Sequence, residues 1–250
     1  MPGLGGSRLT GVTKYPVPGP MGGRLIRAVI SSLRRDCGLV LPIDSDILIA
    51  VSGGSDSVAL AHLLIRYGRR VVSPDRISIL HLNHGWRGEE SDGDELWVKK
   101  LGASWGISVK GVRLLDPKTR PARVSPEEYA RALRKSEYAR HRAQGGWVLT
   151  AHHADDLAET LIWRFLTGGF PNQARGILPV TQDGELRPLL RVSKEDLRAF
   201  LREEGVLWRE DRSNAEGHLL RSQMRHELMP VIERLFPGYR RHLIRLAKKT

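Results

Sequence analysis

The chain has 250 residues, enough for one substantial α/β domain and a small appendage, and no apolar run approaches the roughly 18 residues a membrane-spanning helix needs. Its 40 Lys and Arg against 28 Asp and Glu give a formal charge of +12, which points to a polyanionic partner and leaves DNA, RNA and the ribosome open. The single cysteine, Cys37, excludes an internal disulfide framework and a Cys-x-x-Cys metal or iron–sulfur site, so a reduced, cytosolic setting is the default expectation.

Residues 1–22 are rich in Gly and Pro, and are expected to form a mobile leader that does not pack. Arg8 and Lys14 without any acid keep organellar targeting open, with Met21 as an alternative start. Leu25, Ile26, Val29, Ile30 and Leu33 then recur at helical spacing. From residue 47 strand-like runs alternate with helical patterns: strand 47–51, helix 55–67, strand 77–82, helix 92–104, strand 107–113, helix 126–144, strand 147–151 and helix 155–167. Repeated βα units predict an α/β fold with a mainly parallel, Rossmann-like sheet whose ligands bind at the carboxyl ends of the strands. Ser125, Pro126 and Glu128 form a capping-box start, and Ser193 with Asp196 marks another helix that Gly205 ends. A last helix is expected from Leu219 to Leu235, bent or interrupted by Pro230, followed by a basic tail. The division is a leader at 1–22, a catalytic domain at 23–215 and a short helical, basic C-terminal extension at 216–250.

Where the first strand should turn into a helix stands Ser52-Gly53-Gly54-Ser55-Asp56-Ser57. Its glycines let backbone approach an anion, its hydroxyls can donate to phosphate oxygens, and the helix N-terminus adds unpaired amides. Asp56 would repel a phosphate unless a divalent cation lay between, which suggests Mg2+. The alternative is a plain turn with Ser55 or Asp56 capping the helix. No Walker or Gly-x-Gly-x-x-Gly pattern is present.

Three further polar blocks fall at segment ends. His81, Asn83, His84 and Arg87 are candidate nucleotide contacts or parts of a hydrogen-bonded loop. His152, Asp155, Asp156 and Glu159 can converge on one pocket that holds Mg2+, binds an ammonium or accepts its proton. Near the end come Asp211-Arg212-Ser213-Asn214 and then Arg221 and Arg225, two cations one helical turn apart that make an anion clamp or a solvated face.

The 52–57 loop resembles that of the PP-loop ATP pyrophosphatase superfamily. Together with 81–91, Arg131-Ala-Leu-Arg134, 151–160 and 211–225, in this order, it makes the chain similar to the tRNA(Ile)-lysidine synthetase family. That resemblance implies ATP-dependent adenylation of the wobble cytidine of tRNA(Ile), bearing a CAU anticodon, at its C2 oxygen. Attack by L-lysine then gives lysidine, AMP and pyrophosphate. It implies catalytic roles for Asp56, His152, Asp156 and Glu159, and ATP contacts from Ser52, Gly53, Gly54, Ser55, Asp56, Ser57, His84 and Arg87. Arg131, Arg134, Asp155, Arg221 and Arg225 would bind tRNA or substrate, and Asp56 would carry Mg2+. A homodimer is compatible with the sequence, which does not fix the oligomeric state.

Two positions depart from the family pattern: Trp86 and Ser222. Longer members carry further domains after the catalytic one, whereas a short basic tail follows Pro237 here. The competing readings are a PP-loop tRNA thiolase, which the lone Cys37 does not suit; an ammonia ligase, which leaves Arg131 and Arg134 unexplained; and a noncatalytic RNA-binding protein on a nucleotide fold.

Overall fold

The structure, a computed structural model, describes residues 16–39, 45–83, 85, 88–113, 124–169, 176–209 and 219–249. Helix α1 (Pro20–Arg35) leads into β1 (Ile47–Ala50), α2 (Ser55–Tyr67), β2 (Ile77–Asn83), α3 (Glu89–Ser104) and β3 (Ser108–Arg113). The chain continues through α4 (Pro126–Ala143), β4 (Trp147–Leu149), α5 (Ala154–Leu166), β5 (Glu185–Leu186) and α6 (Lys194–Glu203). Helices α7 (Leu219–Gln223) and α8 (Met229–Leu235) are joined by a π-helical turn, Met224–Leu228, and α9 (Tyr239–Lys249) follows. No helix among the described residues is long and apolar enough to cross a membrane.

The sheet has five parallel strands in the order β3-β2-β1-β4-β5. Alternation along β1 decides what lies on each face. Ile47 and Ile49 pack with Val58, Leu60, Leu63 and Leu64 of α2, whereas Leu48 turns toward Tyr138 of α4, beside Leu80 and Val148. From β1 the chain winds outward one way through β2 and β3, then crosses back to β4 on the other side of β1. The loops that follow β1 and β4 therefore diverge to opposite faces and leave a crevice between the strand ends. This is the expected fold class, and the crevice is where the 52–57 loop and the 151–160 block meet.

Several boundaries differ from the sequence reading, each for a local reason. Helix α1 begins at Pro20, inside the segment read as leader up to residue 22: the Glu203 carboxylate accepts from Met21 N and Gly22 N, each at 3.3 Å, and Gly22 is buried. Residues 1–15 lie outside the described residues. Helix α3 starts at Glu89 instead of 92, its first turn holding Glu89, Glu90 and Asp92, which a helix N-terminus favours. Strand β4 stops at Leu149, two residues short of the expected end, because the chain bends into the site. Strand β5, only two residues long, carries too little pattern to read. Helix α9 was read as a tail, yet Tyr239, Leu243, Ile244 and Ala247 recur at helical spacing and pack with residues of α5. Pro230 takes the first turn of α8, where its missing N–H costs nothing, and the interruption expected there takes the form of a π turn, Met224–Leu228.

The remaining caps are as the sequence predicts. Ser125 and Glu128 close the capping box of α4, Ser193 Oγ accepts from Asp196 N (3.1 Å), and α6 ends with Gly205 at φ +64. One polar contact ties α6 to α2 inside this frame. The Glu204 carboxylate accepts from the Tyr67 hydroxyl (2.6 Å) and lies 3.3 Å from His62 Nε2 and 3.7 Å from Arg66 Nε. His62 is buried against the Trp105 and Phe200 rings, 5.4 and 5.7 Å away between centroids. Burial holds the His62 imidazole below its ordinary value, a tendency the Glu204 hydrogen bond and charge oppose and the Arg66 charge assists.

A depressed folded-state pKa means that the unfolded chain takes up the proton first, so His62 contributes stability above the ordinary imidazole value of about 6.5 that is lost as pH falls below it. A His62→Gln variant, which keeps a hydrogen-bonding group for Glu204, is expected to show a smaller fall in Tm than the parent between about pH 7.5 and about pH 5.5. Thermal melts across that range check this; parallel curves would remove His62 from the acid response.

Candidate active site

An open cleft of about 1030 Å³ runs along the carboxyl ends of β1 and β4. One wing is the 52–57 loop with Lys194, Arg198 and Arg209; the other is Arg131, Arg134, Lys135 and Tyr138 of α4 with Glu185 and Arg187. Thr150, His152 and Asp156 lie between.

The loop shape follows from its two glycines in different ways. Gly53 has φ +106, a conformation that strains any residue with a Cβ, and its carbonyl accepts from Arg209 N at 2.9 Å. Gly54 is the N-cap of α2 in an extended conformation and offers no side-chain cap, so the Ser55, Asp56 and Ser57 amides open the helix with no residue side chain spent on them. Neither Ser55 nor Asp56 serves as the N-cap, which removes the plain-turn alternative in the form the sequence suggested. The hydroxyls are used inward as well. Ser57 Oγ donates to Gly54 O (3.1 Å) and accepts from Ser52 N (3.2 Å), Ser52 Oγ accepts from Gly54 N (3.3 Å), and Ser55 Oγ donates to Asp56 Oδ1 (3.0 Å). Preorganised amides and a positive helix end remain as the anion-binding elements.

His81 supports this loop from β2, whereas Asn83 ties the end of β2 to α3. Buried His81 places Nδ1 2.9 Å from Val51 O, at the loop's entry. Asn83 donates to Asp92 Oδ1 (3.0 Å) and Glu95 Oε2 (2.7 Å), and its carbonyl accepts from Gly85 N (2.9 Å). The predicted contacts His84 and Arg87, with Trp86, lie outside the described residues, as do residues 211–214 and the Arg221 side chain.

At the centre stands His153, which the sequence reading passed over in favour of His152. It is buried, with Nε2 3.2 Å from Asp56 Oδ2 and 3.5 Å from Asp156 Oδ2, and Nδ1 3.6 Å from Asp155 Oδ2. Burial alone would lower its pKa; the Asp56 hydrogen bond and the charges of Asp156, Asp56 and Asp155 outweigh that and raise it. For Asp56 burial pushes upward, and the hydrogen bond and charge of His153, with the Lys194 ammonium 3.7 Å away, hold the carboxyl below its ordinary value. His152 is 41 % exposed, with Nδ1 3.1 Å from Thr150 Oγ1. Partial burial and the Arg187 charge lower its pKa, so it is a neutral imidazole near pH 7.

The predicted acids separate into different jobs. Asp156 Oδ2 accepts from His153 N (2.9 Å) and its side chain lines the cleft. Asp155 is turned away: Oδ2 accepts from Lys194 N (2.8 Å) and Oδ1 from Arg240 Nε (2.6 Å), so it clamps α6 and α9 to α5. Glu159 and Arg225 were expected on opposite errands, yet they form a two-pronged pair, Nε to Oε1 at 3.0 Å and Nη2 to Oε2 at 2.7 Å. Arg225, on the π turn, also comes within 4.0 Å of Asp156. Arg131 and Arg134 are exposed on α4 and line the cleft as the sequence suggested. Lys194, Arg198, Arg209, Glu185, Arg187 and Tyr138 were not anticipated. Of these only Lys194 carried a sequence signal, as the first residue after a strong N-cap.

Among the described residues no cluster of three or more His, Cys, Asp or Glu could cage a metal ion. The single ionised carboxylate of Asp56, one quarter exposed to the cleft beside the uncapped helix end, suits instead a Mg2+ that keeps water and phosphate ligands of its own.

A family model described as PP-loop domain matches residues 31–232. The chain is 34 % identical over 230 residues to the tRNA(Ile)-lysidine synthase of Geobacter sulfurreducens, covering 89 % of this chain and 48 % of that protein. To the enzyme of the same name from Thermus thermophilus it is 37 % identical over 206 residues, covering 81 % of this chain and 38 % of that one. The chain thus spans about half or less of these relatives. Among solved structures it is similar to a U34-tRNA thiolase from Methanococcus maripaludis with its [4Fe-4S] cluster, at TM-score 0.71 and 19 % identity over 92 % of this chain and 78 % of that one, which supports the fold.

Because Asp155 holds two backbone elements through charged hydrogen bonds, Asp155→Ala is expected to cost about 2–3 kcal/mol of stability. Arg240→Ala should cost less than that, and the double variant less than the sum of both. Urea denaturation of the three variants checks this; an Asp155→Ala protein as stable as the parent would return Asp155 to the substrate-binding set.

Proposed function

Since the chain belongs to the PP-loop domain family, we propose that it uses ATP to activate the wobble cytidine of tRNA(Ile) and joins lysine to it, forming lysidine with release of AMP and pyrophosphate. The observation that carries this reading is one cleft in which a phosphate-binding loop, an acidic pocket and a row of arginines stand side by side. An ammonia ligase or a simple nucleotide-binding domain has no use for the third. The thiolase reading needs sulfur ligands, and Cys37 donates its Sγ to Pro179 O at 3.6 Å outside the cleft lining.

In this mechanism the triphosphate lies against the 52–57 amides, with Lys194 and Arg198 of α6 and Arg209 beside it. Asp56 would hold a Mg2+, which when bound would supply neutralisation of pyrophosphate charge. The cytidine C2 oxygen attacks the α-phosphorus; the O–P bond forms as the bond to pyrophosphate breaks, turning a poor leaving group into AMP. The lysine ε-amine then attacks C2 and AMP departs. An amine of ordinary pKa about 10.4 enters as ammonium and must lose a proton first. Asp156 and Glu159 bind the ammonium, with Arg225 yielding its hold on Glu159. His152, neutral and facing the cleft, is the group free to take the proton, while His153 stays committed to Asp56. Arg131 and Arg134 receive the tRNA backbone.

Incubation with unmodified tRNA(Ile), ATP, Mg2+ and labelled lysine should place label in the tRNA with equimolar AMP and pyrophosphate. AMP without lysine transfer would mean another acceptor chemistry, and neither product would mean a binding module. Asp56→Asn should lower AMP formation about 100-fold or more while tRNA binding persists. Asp156→Asn should raise KM for lysine about tenfold or more, as expected for losing one charged hydrogen bond, and leave formation of the adenylated tRNA near the parent rate. Equal loss of both steps in Asp156→Asn would assign that carboxylate to the ATP side.

A further inference from the structure

Two tyrosine hydroxyls, of Tyr138 and Tyr239, are buried with no hydrogen-bond partner among the described residues. Tyr239 sits in the packing between α5, α8 and α9, away from the cleft lining. Tyr138 lines the cleft. Its ring is held by Leu48, Leu80 and Val148 from β1, β2 and β4, and the residue is 5 % exposed. The charges its hydroxyl feels come from Arg134, Glu185 and Arg187, all on the same wing. Burial raises the phenol's pKa far above neutrality, so it remains a neutral donor and acceptor. Arg131 and Arg134 stand seven and four residues before it, on the same side of α4.

An unpaired buried hydroxyl lowers stability, and phenylalanine would fill the same space among the same aliphatic neighbours without that cost. A group kept against stability in a ligand cleft is characteristic of a binding site. We infer that Tyr138 is a specificity-determining residue of the acceptor subsite, its hydroxyl reserved for the polar edge of the acceptor nucleobase whose flanking phosphates lie on Arg131 and Arg134. This rests on the proposed reading that the acceptor is an RNA nucleotide. The 52–57 loop occupies the opposite wing, so the hydroxyl serves the acceptor and not the triphosphate. A site built to pair with a polar edge discriminates strongly against bases that cannot complete the pair, which is what selection of one nucleotide requires.

The test compares Tyr138→Phe, with Tyr239→Phe as control, by melting temperature and by equilibrium binding of an anticodon stem-loop RNA and of ATP. The Tyr138→Phe protein should melt at or above the parent temperature. It should bind the stem-loop about fivefold to tenfold more weakly, the effect of one hydrogen bond, and bind ATP within about twofold of the parent. The control should leave both affinities unchanged. Unchanged RNA affinity in Tyr138→Phe, or a lowered melting temperature showing that the hydroxyl is paired within the fold, overturns the inference while the proposed function stands. A parent protein that binds no stem-loop overturns both.

Discussion

The contact between His153 and Asp56 is what makes a site out of two strand ends. A parallel sheet delivers the β1 and β4 loops to the same edge but not to each other, since they leave toward opposite faces. One buried imidazole bridges them, with Asp56 of α2 on one nitrogen and the acids of α5 around it. Three carboxylates around one point would repel, and the elevated pKa of His153 reflects how firmly they hold a balancing proton. Lys194 adds the second cation, so the phosphate loop meets α6 through the same acid that meets α5.

Around this centre the fold and the chemistry share residues. Asp155 is expected from the sequence among the substrate-binding residues and acts as a clamp, spending both oxygens on α6 and α9. Its neighbour Asp156 keeps one face toward the cleft. The partition follows from helix geometry. Adjacent residues at a helix start point about a quarter-turn or more apart, so one faces the packed side where α9 lies and the other the open crevice. The serines divide in a similar way, their hydroxyls shaping the loop while its amides remain available for an anion.

What could be read from the sequence was what local periodicity writes down. The first strand, the helix at 55–67, the capping box at Ser125 and the stop at Gly205 are short-range patterns and appear where expected. His152 lines the cleft as expected, but the bridging place of its neighbour His153 was not legible, because the strand ends at Leu149 and which of two adjacent side chains turns inward depends on where pairing stops. The Arg225 and Glu159 pair joins residues 66 apart in sequence, and nothing local announces it. Lys194, Arg187 and Tyr138 reach the cleft only through the order of the strands, which is not written in any one segment. Helix α9 was legible, and its basic composition drew attention from an apolar stripe that was present throughout.

The pairing of Arg225 with Glu159 gives the acidic pocket an unusual character: it is already filled with a cation of this chain's own. In the proposed reaction, a lysine entering such a pocket would not neutralise bare charge; it would exchange one organic cation for another, as at an ion-exchange resin. The free energy of capture is then a difference between two similar terms, the carboxylates never stand desolvated and alone, and the displaced guanidinium becomes available to an anion at the moment the amine arrives. Selectivity in an exchanger of this kind comes from the shape of the competing cations, a planar fork against a compact ammonium, more than from charge.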